Sequence, residues 1–222
     1  MKKLRLCALS LLTVAALLLP ALPARAEGLE VTAPSAVLME ASTGQVLFEK
    51  DPHALRSCAS ITKVMTLCLV FQALDSGQLS LDQTLTASAH AASMGGSDIW
   101  LEEGESMTVD DLIKATVIMS ANDAAVVLAE AVSGSEEAFV AQMNEKAQQL
   151  GMNDTVFKNC NGLDEEGHVT SAYDVALMSR ELIRHEKVFD YTLTWICLLY
   201  TSWRATSSPT PTTSTRGRRS TL

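Results

Sequence analysis

The 222-residue chain has no C-x-x-C pair and no His-Glu-x-x-His run, and its four histidines (His53, His90, His168, His185) share no ligand spacing, so no metal site is expected. It has no G-x-S-x-G turn, which argues against an α/β-hydrolase. It has no glycine-rich phosphate loop, and no cofactor is predicted. Beyond the N-terminal run Leu9 to Leu19, no segment reaches the ~18 consecutive apolar residues that mark a membrane helix, so no second one is implied. No Asp or Glu follows Asp190.

The N-terminus reads as an export signal. Lys2, Lys3 and Arg5 precede the apolar run, and Ala24-Arg25-Ala26 is a small-x-small cleavage site before Glu27. Residues 1–26 are therefore set apart from the fold as a signal peptide. Residues 27–190 carry all 26 acidic residues and nine of the 17 Lys and Arg, a formal charge of −17 (9 cationic against 26 anionic side chains). Such a domain repels nucleic acid, and no nucleic-acid partner is expected. Cys7 leaves with the signal. Cys58, Cys68, Cys160 and Cys197 show no ligand spacing, and Cys68 reads as a small buried hydrophobe.

Two strand-like runs, Ser35 to Glu40 and Gln45 to Glu49, flank the turn Ala41-Ser42-Thr43-Gly44 and predict a β-hairpin. An apolar helix follows from Ser60 and stops near Ser76-Gly77. Residues 78–108 read as mixed and loop-rich. Thr108, three residues before Asp111, opens a helix through Leu112, Ile113, Val117 and Ile118. After a break at Ser120-Ala121-Asn122-Asp123, further helices are predicted over 124–132, 136–150 and 171–185, with a turn-rich loop from Asn159 to His168. A hairpin before a block of helices indicates an α+β fold with segregated layers rather than alternating βαβ units. Residues 191–222 change character. Twelve Ser or Thr occur among the last 22 positions, with Pro209, Pro211 and four Arg. This stretch reads as a low-complexity tail, either disordered or out of frame, and the abrupt break at a helix end favours an out-of-frame end.

Ser60-Ile61-Thr62-Lys63 opens the first helix. Residues three apart on a helix lie on one face, so a hydroxyl sits beside an amine, a nucleophile beside a base. Burial and the helix N-terminus both lower a lysine pKa toward the neutral amine. As a cap the tetrad is poor, because Lys63 offers no acceptor where a capping box wants Glu or Gln. The second element is Ser120-Ala121-Asn122, sixty residues on. Taken by itself, Ser120 fits a helix cap with Asp123 three residues later.

Together these pieces resemble the penicillin-binding family of serine D-alanyl-D-alanine carboxypeptidases. The likeness runs from about Ala33 to Trp195: the hairpin Ala36 to Lys50, Ala59 to Thr66, Met119 to Ala125, Asn161-Gly162-Leu163-Asp164, and Thr170 to Ala176. S-x-x-K and S-x-N are motifs of penicillin-recognising enzymes. The resemblance implies a β-lactamase/transpeptidase-like fold, an antiparallel sheet packed with helices plus an all-helical subdomain. It implies that Ser60 attacks the carbonyl between two terminal D-alanines of a peptidoglycan stem peptide and that Lys63 takes its proton. Ser120 would relay a proton to the departing amine, and Asn122 would bind the substrate backbone. β-Lactams would acylate the same serine, and the site of action would be outside the cytoplasmic membrane. For a full-length form it implies peripheral membrane association through a C-terminal amphipathic helix.

The family's third motif, K-[ST]-G, is absent, as are its later strands and that helix. The expectation is a C-terminally truncated and incomplete fold, with activity uncertain. A class A β-lactamase-like hydrolase is the enzyme alternative, with Glu165 or Glu166 in a turn-rich stretch as deacylation candidates. A non-catalytic cell-wall-binding remnant is the alternative outside enzymology.

Overall fold

The computed structural model describes residues 29–193. The signal peptide, Cys197 and the Ser/Thr-rich tail from 194 onward lie outside the described residues. Residues 29–32 end a separate N-terminal unit and hold no regular structure, so every named element lies from Ala33 onward.

The predicted hairpin is β1 (Ala36–Met39) and β2 (Val46–Lys50), paired antiparallel with a register irregularity at Leu38/Met39. Its turn is locked by Glu40, whose carboxylate accepts the N–H and hydroxyl of both Ser42 and Thr43. Those bonds, led by the Thr43 hydroxyl, hold the Glu40 carboxyl down at about 2.

A 3-10 turn, Ala59–Thr62, leads into α1 (Lys63–Asp75). Nine of the thirteen α1 residues are buried, on all faces, so α1 is the core of the molecule rather than an amphipathic cover. Ser76 and Gly77 end it, Gly77 with φ +77°. Around α1 pack α4 (Asn122–Ser133), α5 (Glu136–Leu150) and α6 (Ala172–Leu182). In α4 the side chains of Ala124, Ala125, Val126, Leu128 and Ala129 have no exposed surface. The alanines among them let neighbouring helices approach closely. α3 (Val109–Ile118) packs on α4, and α7 (Val188–Thr192) packs on α3. Phe71, Phe139, Phe157, Met65 and Leu112 fill the centre.

Residues 78–108 hold more structure than their sequence predicts. β4 (Thr84–Thr86) pairs antiparallel with β5 (Ser106–Thr108), and the short helix α2 (Ala89–Ala92) lies between them. Another pair, β3 (Arg56–Ser57) with β6 (Val169–Thr170), joins the approach to the 3-10 turn to the segment before α6. Strands of two or three residues are too short to show an alternating pattern.

The helix ends follow the cap chemistry. The Thr108, Ser135 and Ser171 hydroxyls accept the backbone N–H three residues on, at the starts of α3, α5 and α6. Gly134 and Gly151 close α4 and α5 in the left-handed conformation. The Ser120 cap reading is corrected. The N-cap of α4 is Ala121, without a side-chain cap bond, and Ser120 stands before it at φ +55°.

Candidate active site

Ser60 lies within the 3-10 turn and Lys63 is the first residue of α1. In a 3-10 turn, side chains at i and i+3 eclipse, which brings this pair face to face. Lys63 Nζ stands 3.3 Å from Ser60 Oγ. Ser60 is exposed, whereas Lys63 is 4% exposed. The nucleophile candidate thus faces outward while the amine behind it is withdrawn from water.

Lys63 makes two further hydrogen bonds, donating to Asn122 Oδ1 at 2.7 Å and to the Asn161 carbonyl at 2.7 Å. Burial lowers its pKa from 10.5 to about 8, against the opposing pull of Cys160, Asp98 and Asp123. An amine so placed is partly neutral at physiological pH and can accept a proton from Ser60.

Three of the four predicted site residues, Ser60, Lys63 and Asn122, are joined by these bonds. Ser120 is placed by the chain instead. It sits two residues before Asn122 in the turn from α3 to α4, partly buried, in a conformation that costs a non-glycine residue about 1–3 kcal/mol.

The start of α4 also builds the opposite wall. Asn122 Nδ2 donates to the Gly95 carbonyl at 2.7 Å and its N–H to the Ser97 carbonyl at 2.7 Å. Asp123, 2% exposed, accepts the N–H groups of Ile99 and Leu101. Two adjacent α4 residues therefore hold loop 95–101 by its main chain. Glycine suits position 96, where φ is +89° and a Cβ would stand 3.0 Å from Asn122 Nδ2. On this loop, burial and then the charge of Asp123 raise the pKa of Asp98.

The floor of the site is the 158–163 segment. A Cβ on Gly162 would lie 1.9 Å from the Ala59 carbonyl oxygen, so only glycine lets this segment press on the peptide before Ser60. Ala59 itself is held at φ +44°. Thr66, one turn after Lys63, donates to the Cys160 carbonyl at 2.5 Å. Thr62 bonds His168 Nε2 at 2.8 Å, and burial lowers the His168 pKa, which keeps the imidazole neutral. Asn161 and Gly162 act through backbone atoms and through a missing side chain. Sequence reasoning did not single them out as site residues, and only the fixed run Asn161-Gly162 hinted at them.

Glu165 and Glu166 are both exposed, and the Glu165 carboxylate is on Asn159 Nδ2 at 3.4 Å. Neither belongs to the hydrogen-bond network of Ser60 and Lys63. Among the described residues, no group of His, Cys, Asp or Glu is arranged to hold a metal ion, and Cys58, Cys68 and Cys160 are free and buried.

The family described as D-alanyl-D-alanine carboxypeptidase, peptidase S11, matches residues 22–207. The chain belongs to the peptidase S11 family. D-alanyl-D-alanine carboxypeptidase DacF of Bacillus subtilis is 50% identical to it over 163 residues, 73% of this chain and 42% of that protein. The crystal structure of the carboxypeptidase DacD from Francisella tularensis superposes on this S11 chain with a TM-score of 0.70 at 34% identity, covering 80% of this chain and 42% of that one. Penicillin-binding protein D2 from Listeria monocytogenes, solved in its ampicillin-bound form, superposes with a TM-score of 0.66 at 31% identity, covering 75% and 68%. The α+β fold is that of penicillin-binding proteins. The chain spans less than half the length of the curated relatives it matches.

Proposed function

We propose that this chain carries the acylation centre of an exported serine D-Ala-D-Ala carboxypeptidase, with Ser60 as nucleophile and Lys63 as its base. The observation that carries the reading is a buried amine, with a pKa near 8, lying 3.3 Å from an exposed hydroxyl.

In the proposed reaction, Ser60 Oγ attacks the carbonyl carbon of the penultimate D-alanine of a peptidoglycan stem peptide, and its proton passes to neutral Lys63. The tetrahedral intermediate collapses, the C–N bond breaks, and terminal D-alanine leaves with a proton relayed through Ser120. Asn122 both holds Lys63 and offers an amide to the substrate backbone. Water then attacks the ester, giving the shortened peptide and free Ser60. A β-lactam follows the same first step, with its ring amide as the bond broken, and the adduct persists. The backbone N–H of Ser60 would donate to the oxyanion, a kind of contact worth about 3 kcal/mol in other enzymes. Action on the wall places the protein outside the cytoplasmic membrane. Peripheral membrane association belongs to the reading of a longer form.

The test is covalent labelling of the chain with a fluorescent penicillin, followed by intact mass measurement and peptide mapping. One adduct on Ser60, lost in Ser60→Ala, is expected. A folded wild-type chain that takes no label, or a Ser60→Ala variant that still takes it, overturns the proposal. An adduct that clears within seconds would favour the β-lactamase-like alternative.

A further inference from the structure

Behind the site, on the far side of the 158–163 segment, stands a carboxylate that the proposed reaction does not use. Glu136 is in the first turn of α5 and its side chain is 15% exposed. Its Oε1 accepts the Cys160 N–H at 2.9 Å, and its Oε2 bonds His90 Nε2, on α2, at 2.6 Å. Burial alone would raise its pKa, but the bonds from Cys160 and His90 outweigh burial and hold the carboxyl below its ordinary value. His90, Glu136 and Lys158 line a cleft of about 510 Å³.

The Cys160 peptide is thus clamped from both directions: Glu136 takes its N–H and Thr66 donates to its carbonyl. The next carbonyl, Asn161, receives Lys63 Nζ. The residue after that, Gly162, presses on the Ala59–Ser60 peptide. One short segment therefore sets both members of the pair, and it is fixed at its start by a side chain from another helix. We infer that Glu136 is a positioning residue for the Ser60–Lys63 pair, acting through the Cys160–Asn161–Gly162 main chain, with His90 orienting its carboxylate.

This inference rests on the proposed function and has its own signature. If Glu136 is removed, the segment loosens and water reaches Lys63. Burial is the largest cause of the lowered Lys63 pKa, so the pKa should climb from about 8 toward 10.5. Glu136→Gln keeps an oxygen for the Cys160 N–H and a polar end for His90, and should behave nearly as wild type. His90→Gln alters only a half-exposed ring and should have a smaller effect than Glu136→Ala.

The experiment titrates the Lys63 side-chain nitrogen by heteronuclear NMR in the wild-type chain, Glu136→Ala, Glu136→Gln and His90→Gln. The penicillin acylation rate is measured across pH 6–10 on the same four proteins. Expected for Glu136→Ala are an upward shift of the Lys63 midpoint by about one pH unit or more and acylation at neutral pH slowed roughly tenfold or more, with Glu136→Gln restoring both. An unshifted Lys63 midpoint and an unchanged rate in folded Glu136→Ala overturn the inference. So does a Glu136→Gln variant as impaired as Glu136→Ala. If Glu136→Ala fails to fold, the decision falls to Glu136→Gln and His90→Gln. Near-wild-type values in the first with a smaller upward shift in the second support the inference; any other pattern overturns it. A wild-type chain that takes no label would instead overturn the proposed function, an outcome distinct from these.

Discussion

At the scale of single residues, Lys63 is where stability and chemistry oppose each other. A lysine 4% exposed has lost its hydration, and the bonds to Asn122 and Asn161 only partly replace it. What results is an amine with a pKa near 8 instead of 10.5. Because only the neutral amine accepts the Ser60 proton, acylation by penicillin should rise with pH and level off above about 8. Stopped-flow labelling from pH 6 to 10 checks this, and a flat profile would count against Lys63 as base. Lys63→Met should slow acylation by roughly 10²–10⁴-fold, the usual range for a lost general base.

Gly162 is the residue whose role is easiest to miss, since its contribution is the atom it lacks. Gly162→Ala would set a methyl 1.9 Å from the Ala59 oxygen at a backbone φ of +90°, so the segment must move away from Ser60. The expected loss is about 1–3 kcal/mol in stability with a fall in labelling rate, read from urea melts and the same kinetic assay. The motif residues Ser60, Lys63, Ser120 and Asn122 were legible as candidates because their side chains carry the signal. Asn161 was not, because its bond to Lys63 runs through a carbonyl that every residue owns.

At the scale of elements, legibility followed length and cap chemistry. The apolar run of α1, the spaced apolar residues Phe139, Met143 and Ala147 of α5 with its Gly151 stop, and the turn residues of the β1–β2 hairpin could be read from the sequence. The β3–β6 and β4–β5 pairs could not, since their registers are set by tertiary contacts between segments up to 114 positions apart, such as Arg56 with Thr170. The turn from α3 to α4 is the informative failure. Ser120 and Asp123 have cap spacing, yet the helix starts one residue later and Asp123 turns away to hold Ile99 and Leu101.

This difference separates two serine and threonine substitutions. Thr108→Ala removes a real cap at α3 and should cost about 1 kcal/mol. Ser120→Ala removes none and should stay within about 0.5 kcal/mol of wild type. Thermal denaturation of the two variants decides it. A loss in Ser120→Ala as large as that in Thr108→Ala would restore the cap reading.

At the scale of the whole molecule, the buried thiols work against stability in alkali. Cys58, Cys68 and Cys160 all have raised pKa values, chiefly through burial, and Cys68 is pushed up to about 12 from 9.0. The folded chain keeps these protons at a pH where the unfolded chain releases them. For Cys68 the contribution is complete below pH 9 and is lost as pH rises between about 9 and 12, and Cys58 and Cys160 act in the same direction. Each fully protected thiol then removes about 1.4 kcal/mol per pH unit. The lowered pKa of Lys63 adds stability over much of the same range, so the thiol is read by difference: in urea melts at pH 9, 10 and 11 the wild type should lose stability relative to Cys68→Val. A constant difference between wild type and Cys68→Val over that range would show the Cys68 thiol to be reachable by base.

The hydrogen bonds from Asn122 and Asp123 that hold loop 95–101 all reach its main chain: the Gly95 and Ser97 carbonyls and the Ile99 and Leu101 N–H groups. Of its side chains, Leu101 is buried in the core and Ile99 packs against it, whereas Trp100 stands outside the fastening. Trp100, 62% exposed, can then be exchanged without unseating the loop. Trp100→Asn, which the backbone accepts at φ +58°, should therefore leave the thermal stability and the buried lysine as they are.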